Sequence, residues 1–184
     1  PLTSLMGWME LLRSEGKAGE LVDEMEKDVL RLKKVTDRFS QIGSGVRREV
    51  YDLVPILQDS LNYYRRRVPQ SGQKIRLLSD FAESAPAKIN PELIGWVVEN
   101  LIRNSIDALP EAGGMVTVRL QRDEGRVVID VIDTGKGIEP HNRRNIFRPG
   151  YTTKARGWGV GLSLARRIVK DYHGGKLLLH ESQP

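Results

Sequence analysis

Gly157-Trp158-Gly159-Val160-Gly161-Leu162-Ser163-Leu164-Ala165-Arg166-Arg167-Ile168-Val169 sets three glycines at alternate positions directly ahead of an apolar, helix-forming run. The first turn of a helix offers free N–H groups and the positive end of its dipole, and glycines let an anion approach the backbone closely. The stretch therefore reads either as a phosphate cradle or as a flexible loop ahead of a glycine-started helix. Its spacing is G-x-G-x-G, not the G-x-G-x-x-G of a dinucleotide fold, and no strand directly precedes it. The chain contains no G-x-x-x-x-G-K-[ST] and neither the H-R-D nor the D-F-G signature, which excludes a P-loop and a protein-kinase fold of that type.

Working outward, 11 of the 18 glycines fall between 113 and 175, so this region turns sharply or approaches something closely. Asp133-Thr134-Gly135-Lys136-Gly137 ends an apolar strand expected over 126–133. A carboxylate at a strand end suits a donor such as an exocyclic amine, although an ordinary Asp-Thr-Gly turn uses the same residues. On a helix expected over 91–109, started by Asn90-Pro91, Asn100 and Asn104 share a face with Asp107 one turn on. Amide oxygens are hard neutral ligands suited to Mg²⁺; a polar surface stripe is the alternative. Between these motifs, 138–156 carries five basic residues against Glu139, a charge of +4, as a lid over a triphosphate or a solvated loop would.

The remaining pattern places a helix over 54–67, strands over 74–79, 115–122 and 176–180, and a helix over 162–172. Interleaved helices and strands in 46–184 predict one α/β layered domain. The first 45 residues differ. Helices are expected over 2–14 and 20–42. Leu21, Met25, Val29, Leu32, Val35, Phe39 and Ile42 recur every 3.5 residues on average, the heptad period of a supercoiled seam. Together with Leu2, Leu5, Met9 and Leu12 they predict a hairpin that pairs with a second copy in a four-helix bundle. Gly43-Ser44-Gly45 marks the boundary.

Of 184 residues, 29 are basic, 24 acidic and none is cysteine, which excludes a disulfide scaffold, Cys-ligated metal and thiol catalysis. The net +5 is concentrated in 46–184, where 22 basic side chains face 16 acidic ones. No apolar run approaches the ~18 residues of a membrane span. No signal peptide is read, and a chain starting at Pro1 is expected to be part of something longer. Arg65-Arg66-Arg67 and Arg143-Arg144 lack interleaved aromatics and any nucleic-acid-binding motif, so no nucleic-acid partner is expected.

In this order the motifs resemble the catalytic core of bacterial sensor histidine kinases. Asn100-Leu101-Ile102-Arg103-Asn104 is similar to that family's N box and Asp133–Gly137 to its G1 box. Phe147-Arg148-Pro149-Gly150-Tyr151-Thr152-Thr153-Lys154 is similar to its F box and Gly157–Gly161 to its G2 box. The resemblance implies an α+β chain. Residues 1–45 would form the dimerisation and phosphotransfer hairpin, a dimeric four-helix bundle. Residues 46–184 would form a two-layer Bergerat-type sandwich with a mixed sheet, binding ATP and Mg²⁺. By matching position, Asp133 would hold the adenine amine, with Gly135, Gly137 and Ile138 against the base. Asn104, with Asn100, would organise Mg²⁺. Gly157, Gly159, Val160, Gly161 and Leu162 would cradle phosphates, with Thr153 and Lys154 at the lid's phosphate-facing end.

The implied partners are a second copy of the chain and a response-regulator receiver domain, in the cytoplasm, and the resemblance also allows a membrane-anchored parent protein. Pro1-Leu2-Thr3 resembles the tail of the family's H box, which would put the phosphoacceptor histidine before Pro1. None of His141, His173 or His180 is suitably placed. The chain as written is thus expected to bind ATP for transfer to a histidine it lacks. The family's last glycine-threonine turn and strand would follow Gln183-Pro184, so a sheet edge is expected to be open in the chain as written. Two alternatives remain: a catalytically silent nucleotide-binding scaffold, and an ATPase of the gyrase and mismatch-repair group. The latter places a water-activating glutamate four residues before the metal asparagine, where this chain has Asn100.

Overall fold

The computed structural model describes residues 46–68, 74–154, 157 and 159–183, together with Leu12 and Val29. The chain divides into two compact units, 1–46 and 47–184. In the first, Leu12 and Val29 are helical and Val29 is buried. The rest of the expected hairpin lies outside the described residues.

The second unit runs β1 (Glu49–Asp52), α1 (Leu53–Arg65), β2 (Ile75–Phe81), β3 (Pro86–Ile89), α2 (Pro91–Ala108), β4 (Gly114–Asp123), β5 (Arg126–Asp133) and α3 (Gly161–Arg167), continued by a π-helical turn, Ile168–Tyr172. Three strands form a mixed sheet in the order β2-β4-β5. β2 is parallel to β4, with Leu77 opposite Val116, and β5 is antiparallel to β4, with Ile129 opposite Leu120. Glu124 and Gly125, with φ of 44° and 79°, close the β4–β5 hairpin, since a two-residue turn with both residues left-handed matches the strands' twist.

Both long helices are capped by their own sequence. Asp52 accepts the Val54 N–H at 3.0 Å and starts α1. Its carboxylate also accepts Ala85 N–H at 3.0 Å and the Ser84 hydroxyl at 2.6 Å, which pins the corner to the β2–β3 link. These donors, the serine first, hold its pKa below the ordinary carboxylate value. Asn90 accepts Leu93 N–H at 3.0 Å with Pro91 in the first turn of α2.

One face of the sheet is dry. Val116, Val118 and Leu120 alternate along β4 and are buried, meeting Leu57 and Leu61 of α1 and Val98 and Ile102 of α2. Leu78, Val128 and Ile132 lie exposed. Tyr64 of α1 donates its hydroxyl to the Glu99 carbonyl of α2 at 3.1 Å, and burial pushes its pKa up to about 12. The architecture is therefore α+β, two helices over one face of a mixed sheet.

Two differences from the expected elements have physical reasons. The strand expected over 176–180 is not one. Residues 176–183 carry no regular secondary structure; they keep the alternation, Leu177 and Leu179 half-buried and Leu178 71% exposed, but join no ladder. Ser182 is instead tied to the 138–143 segment, accepting Ile138 N–H at 2.7 Å on Oγ and Arg143 Nη2 at 2.5 Å on its carbonyl. Alternation specifies an extended chain; a strand also needs a partner edge. The antiparallel pair β1–β3 is unanticipated. Each strand has four residues, with charges in β1 and a proline opening β3, too little pattern to read.

Candidate functional site

Helix α2 carries the site. Its buried stripe, Leu93, Ile94, Val97, Val98 and Ile102, sits on the core and leaves Asn100, Asn104 and Asp107 on a partly accessible face. Both glycine motifs reach this helix.

At its middle, a Cβ on Gly161 would stand 2.5 Å from Asn100 Oδ1 and 3.1 Å from Cγ and Nδ2. With no side chain at residue 161, the start of α3 lies on the Asn100 amide as it stands; a Cβ there would have to displace it. Asn100 Nδ2 is buried without a hydrogen-bond partner. Such an orphaned donor costs about 1–3 kcal/mol and calls for an acceptor. The first amides of α3 have no intrahelical partners either, so donors gather where α3 begins.

At the C-terminal end of α2, Lys136 N–H donates to the Ala108 carbonyl at 3.0 Å. A Cβ on Gly135 would lie 2.7 Å from that oxygen, so this close approach also needs glycine. Asp133, exposed at the end of β5, accepts Gly135 N–H on Oδ1 at 2.9 Å. Its Oδ2 has no hydrogen bond among the described residues. Thr134 locks the turn to β4, donating its N–H to the Met115 carbonyl at 3.1 Å and accepting the Met115 N–H on its hydroxyl at 3.0 Å. Gly137 has φ of 67°, and Ile138 follows, half-buried.

The third piece is the segment before Gly157. Gly159, with φ of 63°, lies against the Gly150–Tyr151 backbone, where a Cβ would meet three backbone atoms within 2.5 Å. The Gly150 N–H donates to the Gly159 carbonyl at 3.0 Å. This pairing brings Lys154 over α2: its ammonium lies 2.8 Å from Asn104 Oδ1 and 2.7 Å from Asp107 Oδ2. Lys154 N–H donates to Thr152 Oγ1 at 3.1 Å, and Thr153 is exposed beside it.

Of the expected site residues, Asn100 and Gly161 are in contact, Asn104 and Lys154 are bonded, and Asp133, Gly135, Gly137 and Ile138 share one turn. Gly157 lies close to Thr152, and Val160 and Leu162 flank Gly161 at the start of α3. Gly150 lies in the F-box stretch but carries no expected site role; its signal is the Pro149-Gly150 pair, a turn dipeptide whose positive φ of 80° the structure shows. Among the described residues no group of three or more His, Asp or Glu side chains could cage a metal. The donor set on α2 instead suits a cation: Asn104 Oδ1 already accepts one, the Lys154 ammonium. A single amide oxygen fits Mg²⁺ that brings its remaining ligands as waters and phosphates. A cavity of about 330 Å³ is lined by Arg143, Arg144, Phe147 and Arg166 and by residues 177–182, and by no residue of α2 or of the Asp133 turn.

The pattern of the family described as histidine kinase-, DNA gyrase B-, and HSP90-like ATPase matches residues 89–184. The sensor histidine kinase ZraS of Salmonella typhi is 30% identical over 186 residues, covering 96% of this chain. The chain spans 39% of the length of ZraS. Among solved structures, the catalytic domain of the histidine kinase ThkA superposes with a TM-score of 0.63 at 26% identity, covering 71% of this chain and 85% of that one. ThkA in complex with the response regulator protein TrrA superposes with a TM-score of 0.66 at 19% identity, over 99% of this chain and 55% of that one, a likeness of fold.

Proposed function

Because the chain belongs to the family of histidine kinase-, DNA gyrase B- and HSP90-like ATPases, we propose that residues 47–184 bind Mg²⁺·ATP and act as the catalytic core of a sensor histidine kinase. The observation that carries this reading is the attachment of both glycine motifs to one helix. Gly161 rests on Asn100 and the Asp133 turn on Ala108. Eight residues of α-helix span about 12 Å, the scale of a nucleoside triphosphate from base to phosphates.

In this reading Asp133 accepts the adenine amine on Oδ2 while Oδ1 keeps the Gly135 N–H. Gly135 and Gly137 let the base lie on the backbone beside Ile138. The Asn100 amide gives its orphaned N–H to a phosphate oxygen, and the amides of 159–162 complete the cradle with Gly157 ahead of them. Asn104 Oδ1, together with Asn100, would hold the metal. The bound Mg²⁺ neutralises phosphate charge during transfer. Thr153 and Lys154 meet the terminal phosphate, orienting it and drawing off negative charge. The acceptor is a histidine supplied by the parent protein. An ATPase of the gyrase type is less well served, because its water-activating carboxylate would stand at position 100, where an amide lies against Gly161.

Residues 1–45 serve in this reading as the dimerisation hairpin, and a response-regulator receiver domain is the partner, as ThkA is found with TrrA. Among the described residues no helix is long and apolar enough to cross a membrane, and a cytoplasmic site fits the use of ATP. Calorimetric titration with Mg²⁺ and the non-hydrolysable analogue AMPPNP tests the site. The chain should bind it, and Asp133→Asn should lose at least tenfold in affinity while staying folded. A folded wild-type chain that binds no AMPPNP would refute the proposal.

A further inference from the structure

The Lys154 contact has a second meaning. Its ammonium occupies the one amide oxygen on α2 that accepts a cation, and Asp107 holds it there at 2.7 Å. Resting on the reading of Asn104 as the metal's amide, we propose that Asp107 is a positioning residue that latches the Lys154 segment onto α2. Lys154 then stands in for the metal until metal-bound nucleotide exchanges with it.

Three observations support the exchange. Side chains 47 and 50 residues away in sequence converge on a single ammonium, so the contact is built by the fold and not by local chain geometry. Lys154 and Asp107 are 40% and 41% exposed, which leaves the ion pair in high dielectric and readily broken. The segment bearing Lys154 is closed on itself, from Gly150 N–H to the Gly159 carbonyl and from Lys154 N–H to Thr152, and Lys154 ties it to α2 through Asn104 and Asp107.

The latch also discriminates between ligands. Free nucleotide offers phosphate oxygens to Lys154 but nothing to Asn104 Oδ1 or Asp107. Metal-bound nucleotide replaces both halves of the contact, the cation at the amide and carboxylate and the anion at the ammonium. The carboxylate then faces an incoming positive charge instead of being left unpaired.

Amide hydrogen exchange on the nucleotide-free full chain tests the holding contact. Asp107→Asn should speed exchange at Gly150, Tyr151 and Lys154, with exchange in β4 unchanged. Calorimetry with AMPPNP, with Mg²⁺ and with EDTA, tests the exchange step. The factor by which Asp107→Asn alters Mg²⁺·AMPPNP affinity should differ by about two- to fivefold between the wild-type background and the Lys154→Met background, the range of an exposed ion pair. Equal factors in both backgrounds, or unaltered exchange in Asp107→Asn, would overturn the latch. A wild-type chain that binds no AMPPNP refutes the nucleotide reading instead, and the exchange comparison still decides whether Asp107 holds the segment.

Discussion

Replacing Gly159 by alanine adds one methyl group where the backbone of Gly150 and Tyr151 already stands, at 2.4–2.5 Å from the new carbon. Backbone atoms cannot rotate away as a side-chain tip can, so the two strands of the loop must part. The φ of 63° adds a conformational cost of about 1–2 kcal/mol for a non-glycine residue. Parting the loop also loses the Gly150–Gly159 hydrogen bond, worth about 1 kcal/mol net. The closed loop is thus about 2–3 kcal/mol harder to reach. If nucleotide needs that loop closed, affinity for Mg²⁺·AMPPNP falls by about 30- to 150-fold. Calorimetry reads the loss directly, and denaturant unfolding should stay near wild type because the core residues of α1, α2 and the sheet are untouched. Gly125→Ala is the control. It has a comparable φ of 79° but nothing within 4 Å of the added carbon, so it should cost about 1–2 kcal/mol of stability with no change in affinity. Wild-type affinity in a folded Gly159→Ala chain would refute the coupling of this loop to the site.

Ile102 is fully buried between α2 and the sheet, and Ile102→Ala should cost about 2–5 kcal/mol in urea unfolding; a loss under 1 kcal/mol would contradict the packing described. His173 is held neutral by its place in the fold: Nε2 accepts the Asn90 N–H at 3.1 Å and Nδ1 bonds the Ile168 carbonyl at 2.9 Å. Burial, and then the charge of Arg48, lower its pKa against the opposing effect of that carbonyl. The unfolded chain therefore takes up this proton first, so stability is complete above about pH 6.5 and falls as pH drops through the lowered value. Urea unfolding at several pH values between 7.5 and 5 should show that slope in wild type and a shallower one in His173→Ala. Equal slopes would assign the acid sensitivity elsewhere.

Short-range chemistry made much of this protein legible in advance. Asn90-Pro91 announces α2, because capping rules act between residues a few positions apart, while the family is legible through the resemblance of its ordered asparagine and glycine motifs. What lay beyond that range was decided by packing. β1 and β3 become strands only because they find each other, and 176–183 joins no ladder, with Ser182 tied to the 138–143 segment instead. That Gly161 makes room for Asn100, that Gly159 makes room for Gly150, and that Lys154 reaches Asn104 and Asp107 are facts of tertiary approach. Residue type sets what a group can do, but the distance at which it does so is set by helices and loops brought together through the burial of a shared core.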